Sequence, residues 1–139
     1  MVYGSETWAL KVGNVQQLER TERMMVRWMC GVTLRDKRRS QELLDSLAIV
    51  GIAERVRLGR LRWFGHVERK GDEDWVSKCR ELVVVGDRSR GRGRKTWMEY
   101  VEGDMVKLEL RREDALERDV WRSGIWGIRP TRASAEKRT

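Results

Sequence analysis

The spacing of apolar residues between Ile52 and Arg69 constrains the fold most strongly. Placed at 100° per residue, four of them fall within a narrow arc of a helix: Ile52, Val56, Trp63 and Val67. A stripe of this width is typical of a helix that packs one face against other elements. The pattern therefore predicts the longest helix of the chain, with Trp63 in the core.

Three arginines, Arg55, Arg62 and Arg69, recur at heptad spacing on another side of the same predicted helix. One interpretation is that they keep the helix soluble while their aliphatic stems cover apolar surface. The other is that they form a cationic stripe that binds a polyanion. The helix taken alone leaves both interpretations open.

A chain of 139 residues suits one domain with a modest core. Charged residues make up 37% of it, which is polar for a globular protein, but seven tryptophans indicate that a core exists. The helical spacing of apolar residues recurs along the chain. We expect a mainly α protein: a single small domain of about five helices over residues 1–125, with a basic Arg/Gly loop, followed by a frayed, disordered tail over residues 126–139.

Capping residues predict where several helices begin and end. Asn14 is expected to cap a first helix that Gly31 closes, and Thr96 and Glu99 form a capping box for a later one. The helix after Thr96 is expected to bury Trp97. Three inward-facing sets are predicted for the first, second and last helices: Val15, Leu18, Met25, Val26 and Met29; Leu43, Leu44 and Leu47 after a cap at Ser40; and Ala115, Leu116 and Val120 in a helix over residues 112–123 that stops at Gly124.

The net charge of +8 and the pI near 10.1 make a polyanion a plausible partner, and nucleic acid is the commonest one. A second basic stretch places cations between small residues: Arg88, Arg90, Arg92, Arg94 and Lys95. A flexible backbone of this kind can follow a phosphate chain and place guanidinium groups on it. Cations just before a helix N-terminus are disfavoured by the helix dipole, which favours a bridging anion over simple solubility. A solvated linker is the alternative, because Arg/Gly runs also occur in plain loops.

Residues that could carry catalysis or bind a metal are sparse. Cys30 and Cys79 lie far apart and His66 is the only histidine, so they form no zinc-binding spacing, and no cofactor is expected. The chain has no phosphate-binding Walker loop or nucleophile elbow, and its carboxylates alternate with basic residues as solvated pairs. His66 is interpreted as a packed or phosphate-contacting residue. No apolar run is long enough to span a membrane, and the N-terminus lacks the basic-then-apolar pattern of a secretory signal peptide. We therefore expect an intracellular protein, nuclear or cytoplasmic.

Four segments in order carry a resemblance to a known family. They are Tyr-Gly-Ser-Glu-Thr-Trp at residues 3–8, Arg-Leu-Arg-Trp-Phe-Gly-His-Val at residues 60–67, Arg-Gly-Arg-Gly-Arg-Lys-Thr-Trp at residues 90–97, and Glu-Asp-Ala-Leu-Glu-Arg-Asp-Val-Trp at residues 113–121. In this order the chain resembles the C-terminal region, thumb and post-thumb, of reverse transcriptases of non-LTR (LINE-type) retrotransposons. The resemblance runs from Val2 to Trp121.

The resemblance implies that this chain is not an enzyme by itself. The family is an RNA-directed DNA polymerase whose palm domain, with its metal-binding aspartates, and whose nicking endonuclease both lie upstream of the matching region. The expected protein is then a fragment or decayed copy of the polyprotein that opens at a fortuitous Met1. Two departures are visible: Gly93 stands where the family usually has proline, and the chain has no Cys/His knuckle.

The partner implied is RNA or an RNA/DNA hybrid bound through its phosphate backbone, with the missing upstream polymerase domain as a further candidate. Neither a membrane nor a small-molecule substrate is expected. The alternative function is a structural or protein-interaction helical module that binds no nucleic acid. In that case an apolar patch would be exposed at Val26, Trp28 and Trp75.

Overall fold

A computed structural model describes residues 4–71, 73–82, 91 and 95–127. Within these residues the chain forms helices and no strand, which confirms the mainly α fold. Three short 3-10 turns lie at Ser5–Thr7, Leu34–Asp36 and Glu113–Leu116. The α-helices are α1 (Val12–Met29), α2 (Ser40–Ser46), α3 (Ile52–Glu68), α4 (Trp75–Glu81), α5 (Trp97–Lys107) and α6 (Arg118–Ile125).

The chain divides into two compact units, Met1–Arg57 and Leu58–Thr139, with the division inside α3. The domain limits expected from the sequence, residues 1–125 and 126–139, stay a prediction. Of the expected tail, the structure describes only Trp126 and Gly127, and residues 128–139 lie outside the described part of the chain.

The first helix begins earlier than its sequence predicts. Lys11, with an extended backbone, is the N-cap of α1, and its carbonyl accepts the N–H groups of Asn14 and Val15 at 3.0 and 3.2 Å. The predicted cap at Asn14 is therefore wrong, because the helical hydrogen bonds start one turn before it. The predicted end is confirmed: Gly31 has φ +62°, and its N–H donates to the Trp28 carbonyl at 3.1 Å in a Schellman motif.

The core of the first unit is small. Val26, Leu43 and Leu44 are buried, and four further residues pack against them: Cys30, Val32, Leu47 and Ile49. Of the apolar face predicted for α1, only Val26 is buried, while Met25 and Met29 are exposed. The reason is length, since α2 has seven residues and can cover only part of an 18-residue helix.

The larger core belongs to the second unit. Phe64 contacts two tryptophans there, with ring centroids 6.3 Å from Trp97 and 5.7 Å from Trp121. Trp97 is therefore a partly buried core residue, as predicted. The buried cluster is Leu58, Leu61, Phe64, Val101, Ala115, Trp121 and Ile125, with Trp97, Met98, Met105, Leu108 and Leu110 packed against it.

The prediction that α3 is the longest helix is wrong among the described helices, since α3 has 17 residues and α1 has 18. The buried side of α3 also differs from the predicted arc. Val56 and Val67 are buried as expected, but Ile52 and Trp63 are partly exposed. Phe64, which lay outside the arc, is fully buried. Because aromatic rings of both α5 and α6 pack on Phe64, the contact surface of α3 is centred away from the arc that the spacing alone predicts.

The last predicted helix is broken in two. The backbone at Glu117 is extended, so residues 113–116 form a 3-10 turn and α6 starts at Arg118 and continues past Gly124 to Ile125. Ala115 is buried as predicted, but Leu116 is exposed and Val120 is only partly buried. The break shifts the helical phase, so that Trp121, Gly124 and Ile125 face the core instead.

Two glycines leave room for neighbouring side chains. A Cβ on Gly65 would collide with the Trp121 indole, and one on Gly124 would collide with the Leu110 side chain. At the first contact Trp121 Nε1 donates to the Leu61 carbonyl at 2.9 Å. The absence of a side chain at Gly65 thus lets the indole of α6 reach the backbone of α3.

A buried ion pair joins α3 to α5. Nε and Nη2 of Arg60 donate to Oδ2 of Asp104 at 2.8 and 2.6 Å, and both residues are 6% exposed. The guanidinium carbon of Arg60 also lies 5.3 Å from the Tyr100 ring centroid. The long apolar stem and the paired head explain how an arginine is accommodated inside this unit.

Local capping predictions in the second unit are confirmed. The Thr96 N–H donates to Glu99 Oε2 at 2.5 Å, and the Glu99 N–H donates to Thr96 Oγ1 at 3.3 Å. The short helix α4 follows residue 74 and is capped by Asp74, whose carboxylate accepts the Val76 N–H at 3.0 Å. Hydrogen bonds from the Lys70 ammonium and from that N–H lower the pKa of Asp74 below its ordinary value.

Candidate nucleic-acid interface

A cavity of about 580 Å³ in the second unit collects basic side chains from α3, its C-terminal flank and α6. Five of its lining residues are arginine or histidine, and among the described residues no carboxylate lines it. Its full lining is Arg62, His66, Arg69, Arg118, Trp121, Arg122, Ile125 and Trp126. We refer to it as the cationic cavity.

The α3 side of the cationic cavity carries Arg62 and His66, one helical turn apart, and Arg69 directly after the helix end. Nη1 of Arg69 donates to the Ala115 carbonyl at 2.7 Å. Because a carbonyl is neutral, this bond positions the guanidinium without cancelling its charge. The exposed His66 ring lies 5.5 Å from the Trp63 ring, tilted by 34°.

The α6 side carries Arg118 and Arg122, again one turn apart. Like charges at this spacing repel each other, and Arg118 is also the first residue of α6, where the helix dipole disfavours a cation. Within the part of the chain that the structure describes, neither arginine forms an ion pair, and the same holds for Arg62. The guanidinium charges of Arg62, Arg118 and Arg122 therefore have no carboxylate partner among the described residues.

Aromatic and aliphatic residues of α6 and its C-cap also line the cavity. Trp121 and Ile125 are buried, whereas Trp126 is about half exposed. The arrangement is chemically suited to holding phosphate groups beside an apolar ligand surface.

The structure brings together some of the predicted site residues. Arg62 and Arg69 both line the cationic cavity, whereas Arg55 is exposed on the part of α3 that belongs to the first unit. Lys95 is exposed, with Nζ 5.9 Å from the Tyr100 ring centroid. Four predicted binding residues lie outside the described part of the chain: Arg88, Arg90, Arg92 and Arg94.

Two site residues were missed in the sequence, Arg118 and Arg122. A signal for them exists, because the pair stands at helical spacing beside Trp121 and Trp126. This spacing was overlooked because one continuous helix was expected over residues 112–123. In that helix Val120 faces the core, whereas in the structure Trp121 does.

The described residues offer little support for a metal site or a membrane span. In the described ranges no three His, Cys, Asp or Glu residues are close enough to hold a metal ion. Both cysteines are free thiols, with Cys79 exposed and Cys30 partly buried. None of the described helices combines the length and the apolar character that crossing a membrane requires.

The described elements define a helical protein with a cation-lined cavity. Comparison of the chain with protein-family models, with curated proteins and with solved structures gave no match.

Proposed function

We propose that this chain binds RNA or an RNA/DNA hybrid through backbone phosphates, as a non-catalytic C-terminal segment of a reverse transcriptase of the non-LTR retrotransposon type. The observation that carries the proposal is the convergence of Arg62, Arg118 and Arg122 on one cavity. Within the described residues these three arginines have no carboxylate partner.

Electrostatic repulsion supports an anionic ligand. Three guanidinium groups and the neighbouring Arg69 repel one another around one cavity, although solvent and salt weaken this repulsion because Arg62, Arg118 and Arg122 are exposed. A phosphate group relieves this repulsion and matches the planar fork of an arginine in bidentate geometry. The net charge of +8 adds a general attraction for a polyanion.

The size of the cavity supports a nucleotide over a lone inorganic ion. Cavities of roughly 300–1,000 Å³ hold ligands of drug-like size, and the cationic cavity measures about 580 Å³. The partly exposed Trp126 adds a flat apolar surface at the same place. In nucleic-acid binding, arginines commonly contact the phosphates while a base or sugar packs against an aromatic ring such as an indole.

The family resemblance supports the same assignment. Arg62 and His66 belong to the second resembling segment, residues 60–67, and Trp121 closes the fourth, residues 113–121. These two segments, about 50 residues apart in the sequence, both contribute to the cationic cavity. Under the proposal the polymerase chemistry belongs to the upstream palm of such a reverse transcriptase, and this chain contributes binding.

The test compares two variants that remove the same charge from the same unit. Arg122→Gln removes an arginine of the cationic cavity, and Arg111→Gln removes an exposed arginine outside its lining. One phosphate contact changes the salt slope of log K by roughly 0.7–0.9, which corresponds to about fivefold in affinity at 0.1 M salt. We expect this loss, measured by fluorescence anisotropy with labelled RNA, for Arg122→Gln and a smaller one for Arg111→Gln. Equal losses would contradict a localised site.

A further inference from the structure

The first unit exposes an apolar groove beside the C-terminal half of α1. Its apolar lining includes three large side chains that are mostly in solvent: Met24 is 72% exposed, Trp28 85% and Leu34 79%. The groove has a volume of about 780 Å³ and is also lined by Val32. Clustered exposed apolar side chains of this size mark an interaction surface more often than scattered single ones do.

Hydrogen bonds fix the wall of the groove opposite α1. The Val32 N–H donates to the Arg27 carbonyl at 2.9 Å, which turns the chain back along the end of α1. The N–H and hydroxyl of Thr33 donate to Asp36 Oδ2 at 2.7 and 2.8 Å, which holds the 3-10 turn that carries Leu34. These bonds also lower the pKa of Asp36. The groove is therefore built before any partner arrives.

The rim of the groove is cationic. Arg20, Arg23 and Arg27 line it, and among the described residues no carboxylate does. Arg23 has only an exposed contact of 3.4 Å with Glu19, which neutralises little of its charge. Arg27 donates to the carbonyls of Thr33 and Arg38, at 3.5 and 3.0 Å, and the Asp36 carboxylate interacts with its charge without forming an ion pair.

We propose that this groove binds an acidic amphipathic helix of another protein. Apolar residues of that helix contact Trp28, Met24 and Leu34, and its flanking carboxylates face the arginine rim. A second copy of this chain fits poorly, because a two-fold contact would set the same arginines against each other. Methionine and tryptophan also suit the task, since methionine adapts to varied partner shapes and tryptophan supplies a large anchor.

The probe is a labelled 18-residue peptide with leucines at helical i, i+3, i+4 and i+7 spacing and glutamates on both flanks. Fluorescence anisotropy measures its binding to the full chain. The control peptide has the same composition in an order that spreads the leucines around the helix. A third peptide carries lysines in place of the glutamates.

Two variants locate the binding surface. Trp28→Ala removes the proposed anchor, and Trp75→Ala removes an indole that is 79% exposed in the second unit. We expect Trp28→Ala to weaken binding of the acidic peptide on the order of tenfold or more, and Trp75→Ala to leave it unchanged. Arg20→Glu should also weaken binding of the acidic peptide, and the loss should be larger at low salt than at high salt. Both indoles are exposed, so thermal unfolding should stay as in the parent chain.

Each remaining outcome overturns the proposal. Lack of saturable binding, equal binding of the scrambled peptide, or indifference to Trp28→Ala would remove the helix-in-groove assignment. Concentration-dependent dimerisation that Trp28→Ala abolishes would assign the groove to a second copy, and binding of phosphatidylserine vesicles in place of the peptide would assign it to a lipid surface. RNA affinity should not change in Trp28→Ala, which separates this site from the cationic cavity.

Discussion

Removal of the Asp104 carboxylate should destabilise the protein strongly. Both partners of the Arg60–Asp104 pair are only 6% exposed, and two N–H groups of Arg60 donate to a single carboxylate oxygen. Asp104→Ala leaves that guanidinium buried beside the Tyr100 ring without its carboxylate partner. Loss of one partner of a buried pair costs about 3–5 kcal/mol, which is a large share of a total stability of about 5–15 kcal/mol.

Burial decides this magnitude, so an exposed ion pair provides the control. Lys78 and Glu73 lie 3.1 Å apart with both side chains largely in solvent, and Glu73→Ala should cost below about 1 kcal/mol. Replacement of both Arg60 and Asp104 by leucine should recover most of the loss, because no buried charge is left unpaired. The assay is urea unfolding followed by circular dichroism. A cost for Asp104→Ala as small as that for Glu73→Ala would refute the reasoning.

Three further predictions concern backbone packing, capping and pH. Gly65→Ala should lower the free energy of unfolding by about 1–3 kcal/mol in the same assay, because the new methyl group collides with the Trp121 indole. An unchanged free energy of unfolding would show that α3 and α6 can move apart without cost. Thr96→Ala should cost about 1 kcal/mol by removing half of the capping box with Glu99, and an unchanged unfolding midpoint would argue against that box. The pKa of the Asp74 carboxyl is lower in the folded protein, so its stabilisation of α4 is complete above the ordinary pKa of 3.8 and is lost as the pH falls through the lower folded value. An NMR titration should place the pKa of that carboxyl below 3.8. Asp74→Asn should make the stability of α4 less dependent on acid pH.

Features that depend on a few neighbouring residues were predictable from the sequence. The capping box at Thr96, the end of α1 at Gly31 and the short helix after Asp74 all follow from local hydrogen bonding, and each is present in the structure. The caps of α1 and α2 are the exceptions. Lys11 and Arg39 are their N-caps, without side-chain capping hydrogen bonds, so Asn14 lies inside α1 and the predicted cap Ser40 is the first residue of α2.

Features that depend on distant contacts were not predictable in the same way. Trp121 donates to the carbonyl of Leu61, 60 residues earlier, and its ring packs on Phe64 of the buried side of α3. The buried Arg60 depends equally on Asp104, 44 residues later. Periodicity describes one helix at a time, so it could not locate either contact.

The candidate site was predictable in part for the same reason. Arg62 and Arg69 could be named because they share one helix, which periodicity resolves. Arg118 and Arg122 show a helical spacing of their own, but their position opposite Arg62 depends on the break at Glu117, which changes which side of α6 faces α3. A cluster built from two helices requires the packing between them, and a single sequence does not contain that information explicitly.

The salt dependence of RNA binding tests the central claim most directly. Three phosphate contacts at Arg62, Arg118 and Arg122 contribute roughly 2–3 to the slope of log K against log salt concentration. The triple replacement by glutamine should therefore flatten the slope by about that amount and weaken RNA binding at 0.1 M salt. A triple variant that keeps both the affinity and the slope of the parent chain would contradict a nucleic-acid site in the cationic cavity.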